Sequence, residues 1–253
     1  MPKIIAIANQ KGGIGKTTTA VSLAAALVRA GKKTILIDTD SQCNATDTFG
    51  AKIDGVATLY DLLFENAELS SCIQQTDSGD IIASDPALQS AEKKFPDDFD
   101  RFFLLREKCG GLESNYDYII IDTPPSLGIV LSNVIAYATD IIIPLTCDRY
   151  GIQGIDLLCN TIISAKKSAN PDLNIAGILL IKYTDRLNLN RGIKDGLDNI
   201  AKQLDTKVFK SKIRESVACR ESQVARQNIF EYAPRSTTAA DYEALCKELL
   251  EDE

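Results

Sequence analysis

A glycine-rich run near the amino terminus carries a lysine and hydroxyl residues at a spacing suited to binding phosphate. It reads NQKGGIGKTT over residues 9–18, between an apolar stretch at Ile4–Ala8 and a helical pattern at Thr17–Ala30. In such a turn the main-chain N–H groups converge on a phosphate at the positive end of a helix. Lys16 can then reach the β- and γ-phosphates of a nucleotide, and the Thr17 hydroxyl can bind Mg²⁺. The alternative is a glycine-rich turn in which Gly-Lys-Thr occurs by chance. Such a turn would not be expected to have both a strand before it and a helix after it.

Acidic residues end two of the apolar stretches. The run TILIDTD ends in Asp38 and Asp40, and the run YDYIIIDTPPSLG carries Asp122 at the end of its apolar part. Phosphate chemistry at a glycine-rich loop needs carboxylates at strand ends to hold Mg²⁺ and to place water. A single acidic residue there would more often be a solvated strand end or a helix cap. Two such sites in register with a phosphate loop favour a shared site.

The composition excludes several kinds of chemistry. The chain contains no histidine, so it has no Ser-His-Asp triad, no Cys-His nucleophile pair and no His-ligated metal site. Its cysteines include no C-x-x-C pair, which favours free thiols in a reducing cytoplasm over a disulfide framework or a zinc site. The seven cysteines are Cys43, Cys72, Cys109, Cys147, Cys159, Cys219 and Cys246.

The charge is unevenly distributed along the chain. The net charge of −7 and the isoelectric point near 4.8 argue against a surface that is basic throughout. Residues 182–226, however, hold eleven Lys or Arg against six Asp or Glu, so this segment carries +5 and the remainder carries −12. Solvated helix faces are the simpler explanation. Because a surface contact depends on charge within about 8–10 Å, weak and salt-sensitive nucleic-acid binding remains open.

Short apolar strands alternate with longer helical patterns, which predicts an α/β fold with a doubly wound, mostly parallel sheet and helices on both faces. No internal repeat or linker interrupts residues 1–253, so we expect one domain, and residues 67–99 are the least regular. No run approaches 18 apolar residues, and no signal peptide precedes the first strand, so a cytoplasmic protein is expected. The predicted strands are Ile4–Ala8, Thr34–Asp38, Ile81–Ser84, Tyr118–Asp122, Asp140–Leu145 and Ile175–Lys182, and the helices are Thr17–Ala30, Gly128–Tyr137, Gly151–Ala169, Leu189–Gln203 and about Thr238–Leu250.

The loop sequence KGGIGKTTT resembles the deviant Walker A loop of the ParA/MinD family of P-loop ATPases. The resemblance implies the P-loop NTPase fold, ATP and Mg²⁺ as ligands, and ATP hydrolysis. It also implies that the additional lysine, Lys11, reaches across a dimer interface to the nucleotide phosphates of the partner, so that ATP becomes part of the dimer contact. By the same likeness the nucleotide is held by Gly12, Gly13, Ile14, Gly15, Lys16, Thr17 and Thr18.

The two acidic sites resemble the switch regions of the same family. The likeness implies that Asp40 positions the attacking water, that Asp38 supports the magnesium region, and that Asp122 holds Mg²⁺ through water. Ser41 stands where the family usually has proline, and Cys43 where it has glycine. Because cysteine adopts a positive φ less readily than glycine, we expect this loop to be shaped differently, although hydrolysis is still expected.

The resemblance continues to the carboxyl terminus. In GILLIKYTDRLNLNRGI, Arg186 falls on a family arginine, which implies contact with DNA phosphates without sequence reading. Arg191, Arg214 and Arg220 are expected to lie beside it. The proline that commonly borders adenine in the family is replaced here by Arg214, so the base contacts are expected to depart from the family pattern. The adenine candidates are Lys182 and Arg214.

The closest likeness is to the ParA (Soj-like) partitioning proteins. It implies a slow ATPase whose ATP-bound sandwich dimer binds double-stranded DNA non-specifically on the nucleoid. A ParB-like centromere-binding partner then stimulates hydrolysis and release. Because the phosphate loop begins within ten residues of Met1, no amino-terminal helix-turn-helix domain is expected.

Two other functions on this fold stay open. A MinD-like positioning ATPase on a membrane would need a basic amphipathic tail, but residues 241–253 carry six acids and one lysine. We therefore expect no membrane partner. A redox or cluster-assembly enzyme would need paired cysteines that bridge a cluster between subunits, and no second cysteine is suitably spaced from Cys147.

Overall fold

The structure, a computed structural model, describes residues 1–95, 97, 99–147, 155–184 and 191–251. Within these residues eight strands form one sheet in the order β3-β4-β2-β5-β1-β6-β7-β8, and all pair in parallel except the antiparallel pair β3 and β4. The strands are β1 (Lys3–Ile7), β2 (Thr34–Asp38), β3 (Ile73–Thr76), β4 (Gly79–Ile82), β5 (Tyr118–Asp122), β6 (Asp140–Thr146), β7 (Asn174–Tyr183) and β8 (Val208–Arg214).

Helices cover both faces of this sheet. One face packs against α3, α5, α6, α7 and α8, and the other against α1, α2, α10 and α11. The helices are α1 (Lys16–Arg29), α2 (Asn44–Thr48), α3 (Leu59–Phe64), α4 (Leu69–Cys72), α5 (Leu104–Cys109), α6 (Ile129–Tyr137), α7 (Asp156–Ser168), α8 (Arg191–Gln203), α9 (Val217–Val224), α10 (Ile229–Tyr232) and α11 (Thr237–Glu251).

The central strands explain why the phosphate loop and the acidic residues meet. Along β1, Ile4 and Ala6 face one core while Ile5 and Ile7 face the other, so the strand is buried on both sides. β5 lies between β1 and β2, and Asp122 is in register with both Ile7 and Asp38. The carboxyl ends of β1, β2 and β5 therefore lie side by side.

The predicted α/β class and mostly parallel sheet are confirmed, and Thr34–Asp38 and Tyr118–Asp122 have the predicted bounds. Other boundaries shift by one to a few residues. The starts of the helices predicted at Gly151–Ala169 and Leu189–Gln203 lie outside the described residues, which begin again at 155 and at 191. The seven cysteines are free, and all but Cys219 are buried.

Two strands, β3 and β8, were missed by the prediction. Both lie at the edges of the sheet, where only one neighbouring strand and partial burial are available. A continuous apolar run is typical of a strand that is covered on both faces. Neither β3, with the sequence IQQT, nor β8, with the sequence VFKSKIR, is such a run. The region 67–99 consequently contains more order than expected, including α4 and the β3–β4 hairpin.

Carboxylates from α11 protect the exposed edge of β8. Glu248 accepts hydrogen bonds from the amides of Lys210 at 2.9 Å and Ser211 at 2.8 Å. Asp241 accepts from the amide of Arg214 at 2.9 Å. These side chains satisfy donors that a further strand would otherwise pair with, and so reduce edge-to-edge association.

Replacing Glu248 with alanine is expected to destabilise the fold by about 1–2 kcal/mol at neutral pH, because two strand amides lose a charged acceptor. Partial burial acts to raise the pKa of Glu248, but hydrogen bonds from Ser211 and from the Lys210 amide outweigh it and lower the pKa. The stabilisation is therefore complete above the ordinary pKa of 4.5 and is lost as the pH falls through the lower folded value.

The measurement is urea unfolding of the protein and its Glu248→Ala variant at several pH values. Glu243→Ala is the matched control on the same helix, since Glu243 forms an exposed ion pair with Arg29 at 3.4 Å. A stability difference for Glu248→Ala that persists unchanged at pH 3 would contradict the assignment.

Candidate nucleotide-binding site

The glycine-rich loop turns from β1 into α1 through two glycines in the left-handed region. Gly13 has φ 69° and Gly15 has φ 92°, conformations that side-chain-bearing residues rarely adopt. The far end of the turn is held by Thr19, whose hydroxyl donates to the carbonyl of Gly15 at 2.8 Å and lies 3.2 Å from the hydroxyl of Tyr242 on α11. The carboxyl-terminal helix thus supports the start of α1.

Lys16 and Lys11 have different environments. The side chain of Lys16 is buried, and burial lowers its pKa, while the charges of Asp122 and Asp40 act in the opposite direction. Its ammonium lies 3.4 Å from the carbonyl of Lys11. Lys11 itself is exposed at the protein surface. The buried lysine therefore faces the acidic strand ends, whereas the additional lysine faces outward.

The loop after β2 is organised around Asp38, which is fully buried. One oxygen accepts from the Asp40 amide at 3.0 Å, and the other from the amide and hydroxyl of Thr46, both at 2.8 Å. Burial raises the pKa of Asp38 to about 6, against the lowering effect of these hydrogen bonds. Asp38 thus holds the loop that carries Asp40, and Asp40 lines the cavity described below.

Cys43 adopts the left-handed conformation, with φ 54° and ψ 27°, at the start of α2. The cysteine therefore holds a backbone conformation that suits glycine, which removes the reason for expecting a differently shaped loop at this residue. Its side chain is only 4% exposed, and burial raises the pKa of the thiol to about 11. Burial of the thiol offsets part of the cost of a positive φ, which is about 1–2 kcal/mol.

Asp122 is the residue whose environment best fits a magnesium ion. Both of its carboxylate oxygens are buried, and among the residues that the structure describes neither has a partner at full hydrogen-bonding distance and angle, although the Thr17 hydroxyl is close. Burial raises its pKa well above the ordinary value, as does the nearby Asp38 charge, while the Thr17 hydroxyl and Lys16 lower it. A buried carboxylate whose hydrogen bonds are incomplete is costly, and a metal cation in addition to Lys16 would offset that cost. Thr17 and Asp122 could hold Mg²⁺ here, with Asp38 supporting the loop behind them.

A cavity of about 810 Å³ opens over the loop, which is within the range of sites for nucleotide-sized ligands. It brings together all the predicted phosphate-cradle residues, Asp40, Lys182, Arg214 and Arg220. Lys182 donates to the carbonyl of Gly13 at 2.7 Å. The cradle residues that line it are Gly12, Gly13, Ile14, Gly15, Lys16, Thr17 and Thr18.

Sequence reasoning did not predict helix α9, which lines this cavity, although it singled out Arg220 on that helix. Gln223 donates to the hydroxyl of Thr18 at 2.6 Å, and Arg226 lies 3.7 Å from Asp47 on α2. In α9 only Ser222 is buried, so the helix lacks the apolar stripe that would have revealed it. No local signal in the sequence indicates that this helix returns to the phosphate loop.

The four arginines assigned to DNA are not equivalent. Arg220 is exposed on α9 and lines the cavity. Arg214 pairs with Asp241 on α11 at 2.6 Å, so part of its charge is neutralised locally. Arg191 begins α8, on the opposite face of the sheet, and its side chain is outside the described part. Arg186 lies wholly outside the described residues.

A strand, a glycine-rich loop and a helix, with a buried lysine facing acidic strand ends, define a P-loop nucleoside triphosphatase. A family model described as an AAA domain matches residues 2–175. The chain is 38% identical over 252 residues to the sporulation initiation inhibitor protein Soj of Bacillus subtilis, covering 98% of both proteins. It is 36% identical over 251 residues to the chromosome partitioning protein ParA of Myxococcus xanthus, covering 98% of this chain and 88% of that one. The chain belongs to the ParA/Soj family of partitioning ATPases.

A solved structure of another protein, which contains a bound nucleotide, has the same fold as this chain. Cobyrinic acid a,c-diamide synthase from Mycobacterium smegmatis, with bound ADP and magnesium, has a TM-score of 0.84 and 29% sequence identity to this chain. The match covers 99% of this chain and 94% of that one. Among the described residues, none of the helices is both long enough and apolar enough to cross a membrane.

Proposed function

We propose that residues 1–253 form a single ATPase domain that hydrolyses ATP slowly, with Mg²⁺, as the switch of a DNA-partitioning cycle. The observation that carries this proposal is the convergence of Lys16, Asp40 and Asp122 at the ends of three adjacent strands. Lys16 offsets negative charge on the phosphates, and Asp40 orients the attacking water. Mg²⁺ supplies further charge neutralisation when it is bound.

The ATP-bound state is a sandwich dimer in which Lys11 acts on the nucleotide of the partner. The exposure of Lys11 beside the buried Lys16 supports this division of roles. Two facing nucleotides carry several negative charges, and a cation from each protomer reduces their repulsion. ATP therefore contributes directly to the stability of the dimer.

The dimer binds the phosphate backbone of double-stranded DNA without reading its sequence. The +5 charge of residues 182–226 supports this role, since the rest of the chain is acidic. Arg220 is the main described candidate, with Arg186 and Arg191 as further candidates and Arg214 as a lesser one because it is paired with Asp241. Lys182 and Arg214 remain the proposed adenine neighbours.

A ParB-like centromere-binding protein stimulates hydrolysis and releases the dimer from the nucleoid. Loss of the γ-phosphate then removes the charge that organises the loops bearing Asp40 and Asp122. The protein works in the cytoplasm and needs no membrane partner.

Two observations weigh against the alternative functions. The apolar side of α11 is already packed in the core through Tyr242, Leu245 and Leu249, while Asp241 and Glu248 bind β8. A MinD-like tail would need that side for lipid. For a cluster-assembly enzyme, cysteines would have to reach a cluster shared with a partner subunit, but all seven except Cys219 are buried.

Retention on unrelated DNA sequences at low salt tests the proposal. We expect binding with a slowly hydrolysed ATP analogue and none with ADP. Arg220→Ala should reduce the slope of log affinity against log salt by about one unit for each phosphate that Arg220 binds. Arg106→Ala is the matched control, since Arg106 is exposed on α5, on the other face of the sheet.

Binding that is independent of nucleotide, or no binding under any condition, would contradict the proposed DNA switch. An equal change in the salt slope for Arg220→Ala and Arg106→Ala would reject α9 as the contact surface. Co-sedimentation with anionic vesicles in the presence of ATP would instead favour the membrane alternative.

A further inference from the structure

Asn9, the second residue after β1, joins the phosphate loop to the neighbouring strand. Its side chain is only 4% exposed, and its amide nitrogen donates to the carbonyl of Pro144 on β6 at 2.8 Å. The main-chain bond just before it runs from Ala8 to Ile142 at 3.1 Å. In a parallel pair such bonds recur at every second residue, so the amide of Gln10 would be the next donor. The Asn9 side chain takes that place, which lets the main chain leave the sheet and begin the loop.

The same side chain also holds the main chain at Lys11. Its oxygen accepts a hydrogen bond from the Lys11 amide at 3.0 Å, which closes a tight turn over Gln10. The Lys11 carbonyl in turn lies 3.4 Å from the ammonium of Lys16. The buried side chain of Asn9 therefore fixes the main chain of Lys11 relative to β6 and to Lys16.

We propose that Asn9 is a positioning residue for Lys11, which fixes the origin and direction of the lysine that acts on the nucleotide of the partner. This inference rests on the proposed role of Lys11. A lysine has a long, flexible side chain and loses rotamer entropy when it binds. Its reach across an interface therefore depends on a fixed starting point in the main chain.

Asparagine is suited to this role because it has a donor and an acceptor on one planar group. Serine at this position keeps an acceptor for a tight turn but has no group that can extend to the carbonyl of Pro144. Alanine removes both hydrogen bonds and leaves the Pro144 carbonyl and the Lys11 amide without these partners. Asn9→Ala should therefore shift Lys11, and Asn9→Ser should give a smaller effect.

A double-mutant cycle tests the proposal on the full chain. The variants are Asn9→Ala, Lys11→Ala and the two combined, and sedimentation measures dimer dissociation with a non-hydrolysable ATP analogue and Mg²⁺. We expect Asn9→Ala to weaken the dimer about tenfold, because a displaced Lys11 loses part of its charge-assisted contact with the nucleotide of the partner. In the Lys11→Ala background the same change should have no further effect, because the group being positioned is gone. Fluorescent ADP should bind every variant with nearly unchanged affinity.

Asn133→Ala is the matched control for loss of a buried bridging amide. Asn133 is 2% exposed on α6 and donates to the carbonyls of Arg101 at 2.7 Å and Ile129 at 3.0 Å, away from the cavity. It should lower the thermal stability without changing dimer affinity at a temperature where the variant is folded. If Asn9→Ala does not fold, Asn9→Ser is used in the same cycle.

The outcomes separate the two proposals. If Lys11→Ala leaves dimerisation unchanged, the proposed role of Lys11 is wrong, and the role of Asn9 is wrong with it. If Lys11→Ala weakens the dimer but Asn9→Ala does not, or if the two effects add, only the role of Asn9 is wrong. A parallel loss of ADP affinity in Asn9→Ala would show that the residue supports the phosphate loop in general, which also overturns the proposal.

Discussion

Replacing Lys16 with glutamine is expected to weaken ATP binding at least about 100-fold, which corresponds to about 2.7 kcal/mol. Lys16 is 6% exposed and lies near Asp122 and Asp40, so it is the buried cation between these carboxylates and the loop. Glutamine keeps much of the length of the side chain but removes the charge. The phosphates would then enter a site whose acidic residues are no longer balanced.

Titration with a fluorescent ATP analogue measures this effect, and thermal unfolding checks that the variant is folded. Lys166→Gln is the matched control, because Lys166 is exposed on α7 and does not line the cavity. An ATP affinity for Lys16→Gln within about threefold of the unmodified protein would show that the loop binds phosphate without this lysine.

The second large effect is expected for Asp40→Asn, which should slow hydrolysis at least about 100-fold while leaving ATP binding nearly intact. The amide oxygen of asparagine can still accept the hydrogen bond that the Gln42 amide makes with Asp40 at 3.0 Å. The loop should therefore keep its shape. The substitution removes the carboxylate charge that is proposed to orient the water, so the variant should stay on DNA long after the unmodified protein has dissociated.

Single-turnover hydrolysis and DNA dissociation together measure this separation of binding from chemistry. Asp47→Asn is the matched control, since Asp47 also lines the cavity but pairs with Arg226 at 3.7 Å on its outer side. Normal turnover in Asp40→Asn would reject the water-positioning role. Loss of ATP binding together with hydrolysis would instead indicate that Asp40 acts through the shape of the loop.

The two variants separate ATP binding from ATP hydrolysis in the proposed cycle. Lys16→Gln should fail to bind DNA because it cannot take up the ATP that closes the dimer. Asp40→Asn should bind DNA persistently because it closes the dimer and cannot reopen it. A single defect common to both variants would argue against a nucleotide switch.

Sequence patterns predicted the glycine-rich loop and the acidic strand ends well because these signals are local. β5 was predicted with its observed bounds, since a strand covered on both faces is a continuous apolar run that ends abruptly at Asp122. The loop between β1 and α1 was equally clear, because its glycines and Lys16 belong to one short segment. Edge strand β8 and exposed helix α9 were missed because partial burial leaves no continuous apolar pattern.

The sequence by itself determined the phosphate loop, the acidic strand ends and the α/β class, since short-range geometry and hydrophobic burial encode them within a few residues. Tertiary structure alone decided which distant groups meet there. Gln223 reaches Thr18 across 205 residues, and Arg214 is paired with Asp241 across 27. The order of the strands brings these pairs together, and that order depends on the packing of the whole sheet. The same packing places the Asn9 amide against the carbonyl of Pro144. The loop motif by itself does not indicate this contact.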